Sequence, residues 1–237
     1  MAMIEFEDIR ERAENRKGGA EALARLLPPP PDHTALASVS DTHVLSEMAR
    51  LVFSSGFSRS VIEAMWPGFV TAFLGFEPED LAERPDAFWY GLASDTRIVR
   101  NGQKIRSVRT NARFVLDIAR EHGSFGRFLA GWPSTDQISL LDILKRRGDR
   151  LGSRTGQLLL RVLGWDGFVL SADVTACLRA AGLDIASEVS SKGDFARVQA
   201  QFNEWAGETG LPYTHLSRIC ALSIGANRIG FDDPTPI

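Results

Sequence analysis

The chain has 237 residues, with 27 Lys and Arg against 30 Asp and Glu, a formal net charge of −3 and 44% hydrophobic residues. That length and apolar content exclude a disordered chain and suffice to bury a real core. The mildly acidic balance argues against wholesale electrostatic binding of nucleic acid, and no run of about 18 apolar residues is present to suggest a transmembrane helix.

In chain order the pattern is helical throughout, with no alternating β-branched runs. The opening MAMIEFEDIRERAENRK is charged along its length and has no apolar core of a secretory leader, so none is expected. Residues 4–27 read as a charged amphipathic helix that Pro28 to Pro31 stop, since proline removes a donor and clashes with the preceding turn. Residues 1–35 are therefore expected as an N-terminal arm ending in a Pro-rich linker, followed by a main domain over 36–228 and a frayed tail over 229–237. Ser40 or Asp41 can cap a helix through Leu45, Met48, Leu51 and Val52. Residues 58–73 predict another, kinked or divided by Pro67. Short helices open at Pro78 and Pro85. Asn101-Gly102, between basic residues, reads as a turn between helices. The stripe Ile105, Val108, Ala112, Val115 and Ile118 predicts a long helix over 104–121. Short helices follow over 124–130, 139–147, 155–163 and 173–181, the last two ended by Gly164 and Gly182. Residues 195–207 and 212–224 give the final pair. The expected class is all-α, built of many short helices.

One segment carries candidate chemistry. After the helix over 139–147 comes a glycine-containing turn, Gly148 to Ser153, and then a second helix. Backbone N–H groups at such a helix start bind phosphate without reading sequence, and Arg150 and Arg154 add charge there. Asp173 follows Arg154 by 19 residues, behind the apolar run Phe168, Val169 and Leu170, at the start of another helix. The helix dipole favours negative charge at that position. The same aspartate also suits plain helix capping. Cations are segregated along the chain. Residues 97–113 hold Arg97, Arg100, Lys104, Arg106, Arg109 and Arg113 with no acid, and residues 145–154 hold five cations against Asp149. A near-neutral total thus conceals a basic surface. Cys177 and Cys220 are too few for a disulfide framework and suit a reducing cytoplasm. They lie on apolar helix faces, and His43 and His215 have no partner at nucleophile-activating spacing.

The segment Leu151-Gly152-Ser153-Arg154-Thr155 and the spacing to Asp173 resemble the helix-hairpin-helix DNA glycosylase superfamily. The first hairpin glycine of that superfamily falls on Arg150. Asp41 to Val52, Ser55-Gly56-Phe57-Ser58-Arg59, Phe69 to Pro78, Arg97 to Arg113 and Gly164 to Leu183 look similar to 3-methyladenine DNA glycosylase I. Lys104-Ile105 and Asn111-Ala112-Arg113 are in step with that family. This sequence departs from it in four places. Val52 stands where the family carries a pocket Glu, Arg59 replaces a Trp, the zinc-binding Cys and His are missing, and Asp173 has no family counterpart.

The resemblance implies a glycosylase architecture of two helical lobes with a cleft and no zinc site. It implies a DNA-repair enzyme that extrudes a damaged base from the duplex and hydrolyses its glycosidic bond. Asp173 would be the catalytic carboxylate. Arg100, Lys104, Arg150, Gly152, Ser153, Arg154 and Thr155 would contact the DNA backbone, and Phe53, Phe57, Trp89 and Trp165 would form the base pocket or wedge. Arg154 lies near the position of a Schiff-base Lys in bifunctional relatives. Arginine cannot serve as that nucleophile, so a monofunctional enzyme without cofactor or metal is implied. Its partner would be double-stranded DNA with a damaged base, such as 3-methyladenine. It would act as a monomer in the cytoplasm, associated with a prokaryotic nucleoid, away from membranes. The alternative is a non-catalytic helix-hairpin-helix DNA-binding protein descended from such enzymes. The loss of the pocket Glu at Val52 favours that alternative, and Asp173 favours the enzyme.

Overall fold

The computed structural model describes residues 4–224, apart from the side chain of Ser153. The tail expected over 229–237 lies outside the described residues. Among those residues the secondary structure is entirely helical, as the periodicity predicts. The helices are α1 (Phe6–Lys17), α2 (Ala20–Ala24), α3 (His33–Ala37), α4 (Asp41–Ser54), α5 (Arg59–Ala72), α6 (Pro78–Glu83) and α7 (Asp86–Leu92). They continue with α8 (Gly102–His122), α9 (Phe125–Gly131), α10 (Gln137–Arg147), α11 (Ser153–Val162), α12 (Ala172–Ala180), α13 (Lys192–Thr209) and α14 (Tyr213–Ile224).

The chain forms two compact units. Among the described residues, one holds 4–32, 133–140 and 160–224; the other holds His33–Trp132 and Leu141–Leu159. In the first unit α1 and α12 both pack on α14. Its core joins Phe6, Ile9, Ala13 and Leu23 to Val174, Leu178, Phe202, Trp205, Leu216 and Cys220. Phe168 and Phe202 stack with centroids 4.5 Å apart, and Phe6 lies 5.2 Å from Trp205. The N-terminal segment expected as an arm is thus part of this core, because the apolar stripe of α1 finds its partner some 200 residues later in the chain. The single helix expected over 4–27 ends earlier, at Gly18 and Gly19. Their left-handed backbones (φ 93° and 108°) let both amides donate to the Glu14 carbonyl.

In the second unit α8 packs against α4 and α6, and α3 packs on α9. The α3–α9 approach needs Gly126, where a Cβ would come within 2.6 Å of the Leu36 carbonyl oxygen. An aromatic cluster fills the space beside α4 and α5. Phe53 meets Phe69 edge-on at 4.7 Å, and Trp66 stacks on both Phe69 and Phe76. Pro67 does not divide α5, which runs unbroken from Arg59 to Ala72. The proline sits on the exposed face, where the carbonyl it deprives of a donor can turn to water. Ser40 caps α4 by accepting from the His43 amide, and Asn101 caps α8 by accepting from Gln103 and Lys104.

Candidate nucleic-acid interface and the Asp173 helix

The turn between α10 and α11 lies in the second unit and is built tightly. Arg150 has φ +63°, a left-handed conformation that a side chain adopts only at a cost. The turn thus places an arginine in a left-handed conformation at the position where the resemblance puts a glycine. Two glycines allow the close approach. A Cβ on Gly148 would lie 2.6 Å from Leu151 Cδ1, and one on Gly156 would lie 2.6 Å from the Leu151 carbonyl oxygen. Leu151 is wholly buried beneath the turn.

A carboxamide fixes the turn from α8. Asn111 Nδ2 donates to the Asp149 carbonyl at 3.1 Å, and the Asp149 amide donates to Asn111 Oδ1 at 2.8 Å. Asn111 is 1% exposed, so losing either bond would orphan a shielded polar group. The Arg150 guanidinium donates to Gln103 Oε1, the second residue of the same helix. Asn111 belongs to the motif Asn111-Ala112-Arg113, but its clamp role is not legible in the sequence. Its signal was a polar residue on the apolar stripe of α8, in register with Val108 and Val115.

The other residues expected to contact DNA fall into two groups. Arg100 and Arg150 are exposed, and Gly152, Arg154 and Thr155 are half-buried at or beside the start of α11. The first amides of that helix have no carbonyl of their own helix to meet. Ser153 opens the helix, and its side chain is outside the described residues. Lys104 must be corrected. It is 6% exposed, and its ammonium donates to the carbonyls of Phe53 (3.2 Å) and Ser55 (2.5 Å). Burial, aided by the nearby Arg150 charge, lowers its pKa from the ordinary lysine value. It is committed to the protein and unavailable to a phosphate.

The basic surface is also smaller than the sequence suggests. Arg97 pairs with Asp95, Arg109 with Asp86, Arg146 with Asp142, and Arg147 bidentately with Glu121. Acids close in sequence (Asp95 and Asp142) and more distant ones (Asp86 and Glu121) together neutralise much of both runs. Among the described residues, Arg100, Arg106, Arg113, Lys145 and Arg150 are exposed cations without an acidic partner.

Of the expected pocket or wedge residues, Phe53, Trp89 and Trp165 are core instead. They are 0%, 6% and 1% exposed. Trp89 donates its indole N–H to the Arg84 carbonyl at 3.3 Å, and Trp165 packs in the first unit with its indole nitrogen unpaired. Aromatic residues at helical spacing supply large apolar area, and here core packing uses it. Phe57 is different. It is 47% exposed in the loop between α4 and α5, beside Gly56 at φ +78°. Val52 is buried in α4. Glu47, one and a half turns earlier, is also buried, but it pairs with Arg50 at 3.0 Å, and that guanidinium lies 4.0 Å over the Trp66 ring.

Asp173 lies in the first unit, exposed in the first turn of α12. It is not the cap; Ser171 takes that role by accepting from the Val174 amide at 3.2 Å. The extended run leading to it is held residue by residue. Gln137 donates to the Phe168 carbonyl and accepts from the Phe168 amide, both at 2.8 Å. The Gly167 amide donates to Thr214 Oγ1 at 3.3 Å, and the Val169 amide donates to Ser217 Oγ at 3.0 Å. Asp166 in turn accepts from the Thr214 amide at 2.9 Å. Gly167 is required, since a Cβ there would meet Gln137 Oε1 and the Trp165 ring at 2.6 Å. Side chains thus do for this segment what a neighbouring strand does in a sheet.

Cys177 and Cys220 are buried, as their apolar setting predicts. A hydrogen bond from Cys220, reinforced by Ser223 and Arg12, draws the Cys177 thiol down to about 7. His43 is exposed, and His215 bonds the Pro28 carbonyl at 2.7 Å. No group of three or more His, Cys, Asp or Glu among the described residues is arranged to hold a metal, and no helix there is long and apolar enough to cross a membrane.

Solved structures with a similar course include a 3-methyladenine DNA glycosylase I, 20% identical over 57% of this chain and 82% of that one, with a TM-score of 0.47. The Staphylococcus aureus 3-methyladenine DNA glycosylase I is 22% identical over 53% and 77%, with the same score. The Methanocaldococcus jannaschii 8-oxoguanine glycosylase/lyase, solved with a 15mer DNA containing 8-oxoguanine, is 12% identical over 90% and 95%, again at 0.47. No curated protein matches the chain. The profile of the methyladenine glycosylase family matches residues 36–183, more than half of the sequence. The chain therefore belongs to the methyladenine glycosylase family, as a divergent glycosylase-like member.

Proposed function

We propose that the protein is a monofunctional base-excision DNA glycosylase, acting as a cytoplasmic monomer on double-stranded DNA that contains an alkylated or otherwise damaged base such as 3-methyladenine. The observation that carries this reading is the α10–α11 turn, whose left-handed Arg150 and Asn111 clamp present the start of α11 to a phosphate. The target base would be extruded, because its glycosidic bond is out of reach within the stack. Cleavage develops positive charge on the sugar. The Asp173 carboxylate, at the end of its clamped approach, would stabilise that charge or orient the attacking water. An alkylated cationic base leaves readily, so little acid assistance to the base is needed. Arg154 cannot form a Schiff base, which is why hydrolysis without strand cleavage is expected. Arg100, Arg150, Gly152, Ser153, Arg154 and Thr155 would hold the backbone.

Base release from methylated duplex DNA, measured for wild type and Asp173→Asn, tests this reading. Release by wild type that falls at least a hundredfold in the variant is the expected result, within the range for loss of one charge-stabilising group. Equal release from both would remove Asp173 from the mechanism. A second reading, a DNA-binding protein without catalysis, is favoured by the buried apolar Val52 and by the pairing of the nearby buried Glu47 with Arg50. Tight binding to a duplex with no release of any damaged base would establish that one.

A further inference from the structure

Phe57 is an exposed aromatic side chain, and nothing in the core of its unit accounts for it. It rides on residues 55–58, which join α4 to α5 and turn through the left-handed Gly56. Free loops of this kind are mobile. Here the base of the loop is tied down by one side chain from another helix. Lys104, the third residue of α8, reaches the Phe53 and Ser55 carbonyls. Both belong to the last turn of α4 and its cap, where carbonyls lack intrahelical donors and the helix dipole favours a cation. The same ammonium lies 5.1 Å from the centroid of the Phe57 ring, within the range of a cation–π contact. Lys104 therefore acts on the loop twice, through its backbone and through the ring at its tip. It is also the residue that burial withholds from solvent and from phosphate.

We propose that Lys104 is a positioning residue that holds Phe57 as a preformed wedge, which enters the base stack when the duplex is bound. This rests on the reading of the protein as a DNA-handling glycosylase. The physical reason is entropic: a loop already fixed in its inserting geometry does not have to be ordered on binding. An apolar wedge fills the gap that an extruded nucleotide leaves, and its insertion unstacks the neighbouring step. Lys104 is distinct from the cations that would touch the backbone. Its removal should affect insertion, and the salt dependence set by phosphate contacts should stay the same.

The test uses the full chain and a duplex that carries a stable tetrahydrofuran abasic analogue next to 2-aminopurine, whose fluorescence rises when it is unstacked. Wild type should raise the signal. Phe57→Ala should abolish most of the rise and weaken binding on the order of tenfold, the scale of one lost base–aromatic contact. Lys104→Met, with the stem kept and the donors and charge removed, should reproduce that loss to within about twofold. The double variant should be no worse than either single one, because both remove the same insertion. A Lys104→Met protein that melts like wild type and keeps the full fluorescence rise would overturn the proposal. So would effects of Phe57→Ala and Lys104→Met that simply multiply. If Lys104→Met does not fold, Lys104→Gln, which keeps two donors, carries the same comparison: partial recovery of the signal supports the proposal and wild-type signal with unaltered melting overturns it. A wild-type protein that neither binds the duplex nor unstacks the probe would instead count against the DNA reading itself.

Discussion

The turn at Asp149 and the extended run at Phe168 are held by the same device in two different settings. In each, a buried carboxamide reads both the N–H and the C=O of a single residue: Asn111 on Asp149, and Gln137 on Phe168. At the turn the clamp works alone, next to a left-handed arginine and open cations. At the extended run it is one of three, with Thr214 and Ser217 serving the residues on either side. The isolated clamp shapes the turn that leads into α11, a helix whose first amides have no carbonyl of their own helix to meet, which suits a surface that meets phosphate. The repeated clamp satisfies each amide from Gly167 to Val169 and delivers Asp173 from a rigid segment. One device therefore shapes the turn ahead of a helix start in one place and, in the other, fixes the approach to a carboxylate.

Substitutions can separate the two clamps. The largest effect is expected for Gln137→Ala, which would orphan the amide and carbonyl of Phe168 in a dry setting. Urea unfolding should show a loss of about 3–5 kcal/mol, above that of a single buried hydrogen bond. A loss below about 1 kcal/mol would mean that the neighbouring clamps or water replace it. Asn111→Ala should cost less, about 1–3 kcal/mol, because the turn is nearer to water. It should also weaken binding to undamaged duplex severalfold in fluorescence anisotropy, which Gln137→Ala should not do in the protein that remains folded. Equal binding losses would break the distinction between the clamps.

Arg150→Gly should give effects of opposite sign. Relief of the left-handed backbone should stabilise the protein by up to about 1 kcal/mol. Loss of the cation should lower the slope of log affinity against log salt by about one. The smallest effect concerns a single-bonded clamp, where Asp41 accepts from the Phe125 amide at 2.8 Å. Burial raises the pKa of this carboxyl above the ordinary aspartate value, against the opposing pull of that hydrogen bond. The folded state thus holds the proton more tightly than the unfolded chain. Stability from this group is lost as pH rises from the ordinary value through the raised one. Asp41→Asn keeps the acceptor and removes the titration. The difference in urea midpoint between variant and wild type should therefore shift in the variant's favour from about pH 3 to pH 6.

The helices were legible in the sequence because their causes are local. The apolar stripes of α4, α8 and α12, the cap at Ser40, and the stops at Gly164, Gly182 and Gly210 all act within a few residues. The order and spacing of the hairpin and Asp173 were legible for the same reason, and they carried the family resemblance. The site was legible only in part. Lys104 reads as a surface cation in a basic run, and only the packing of α8 against α4 turns it inward to the Phe53 and Ser55 carbonyls. Arg109 and Arg147 read as open cations until the fold brings Asp86 and Glu121 to them.

By itself, then, the sequence determined the all-α class, most helix boundaries, and the candidate turn and carboxylate. Tertiary structure decided that Phe53, Trp89 and Trp165 are core while Phe57 is exposed. It also decided that α1 joins the core containing α14 and that carboxamides on α8 and α10 hold the two segments of the candidate site. Periodicity tells which face of a helix is buried. It does not tell which distant backbone group that face will meet, because that pairing is set by contacts between residues far apart in the chain.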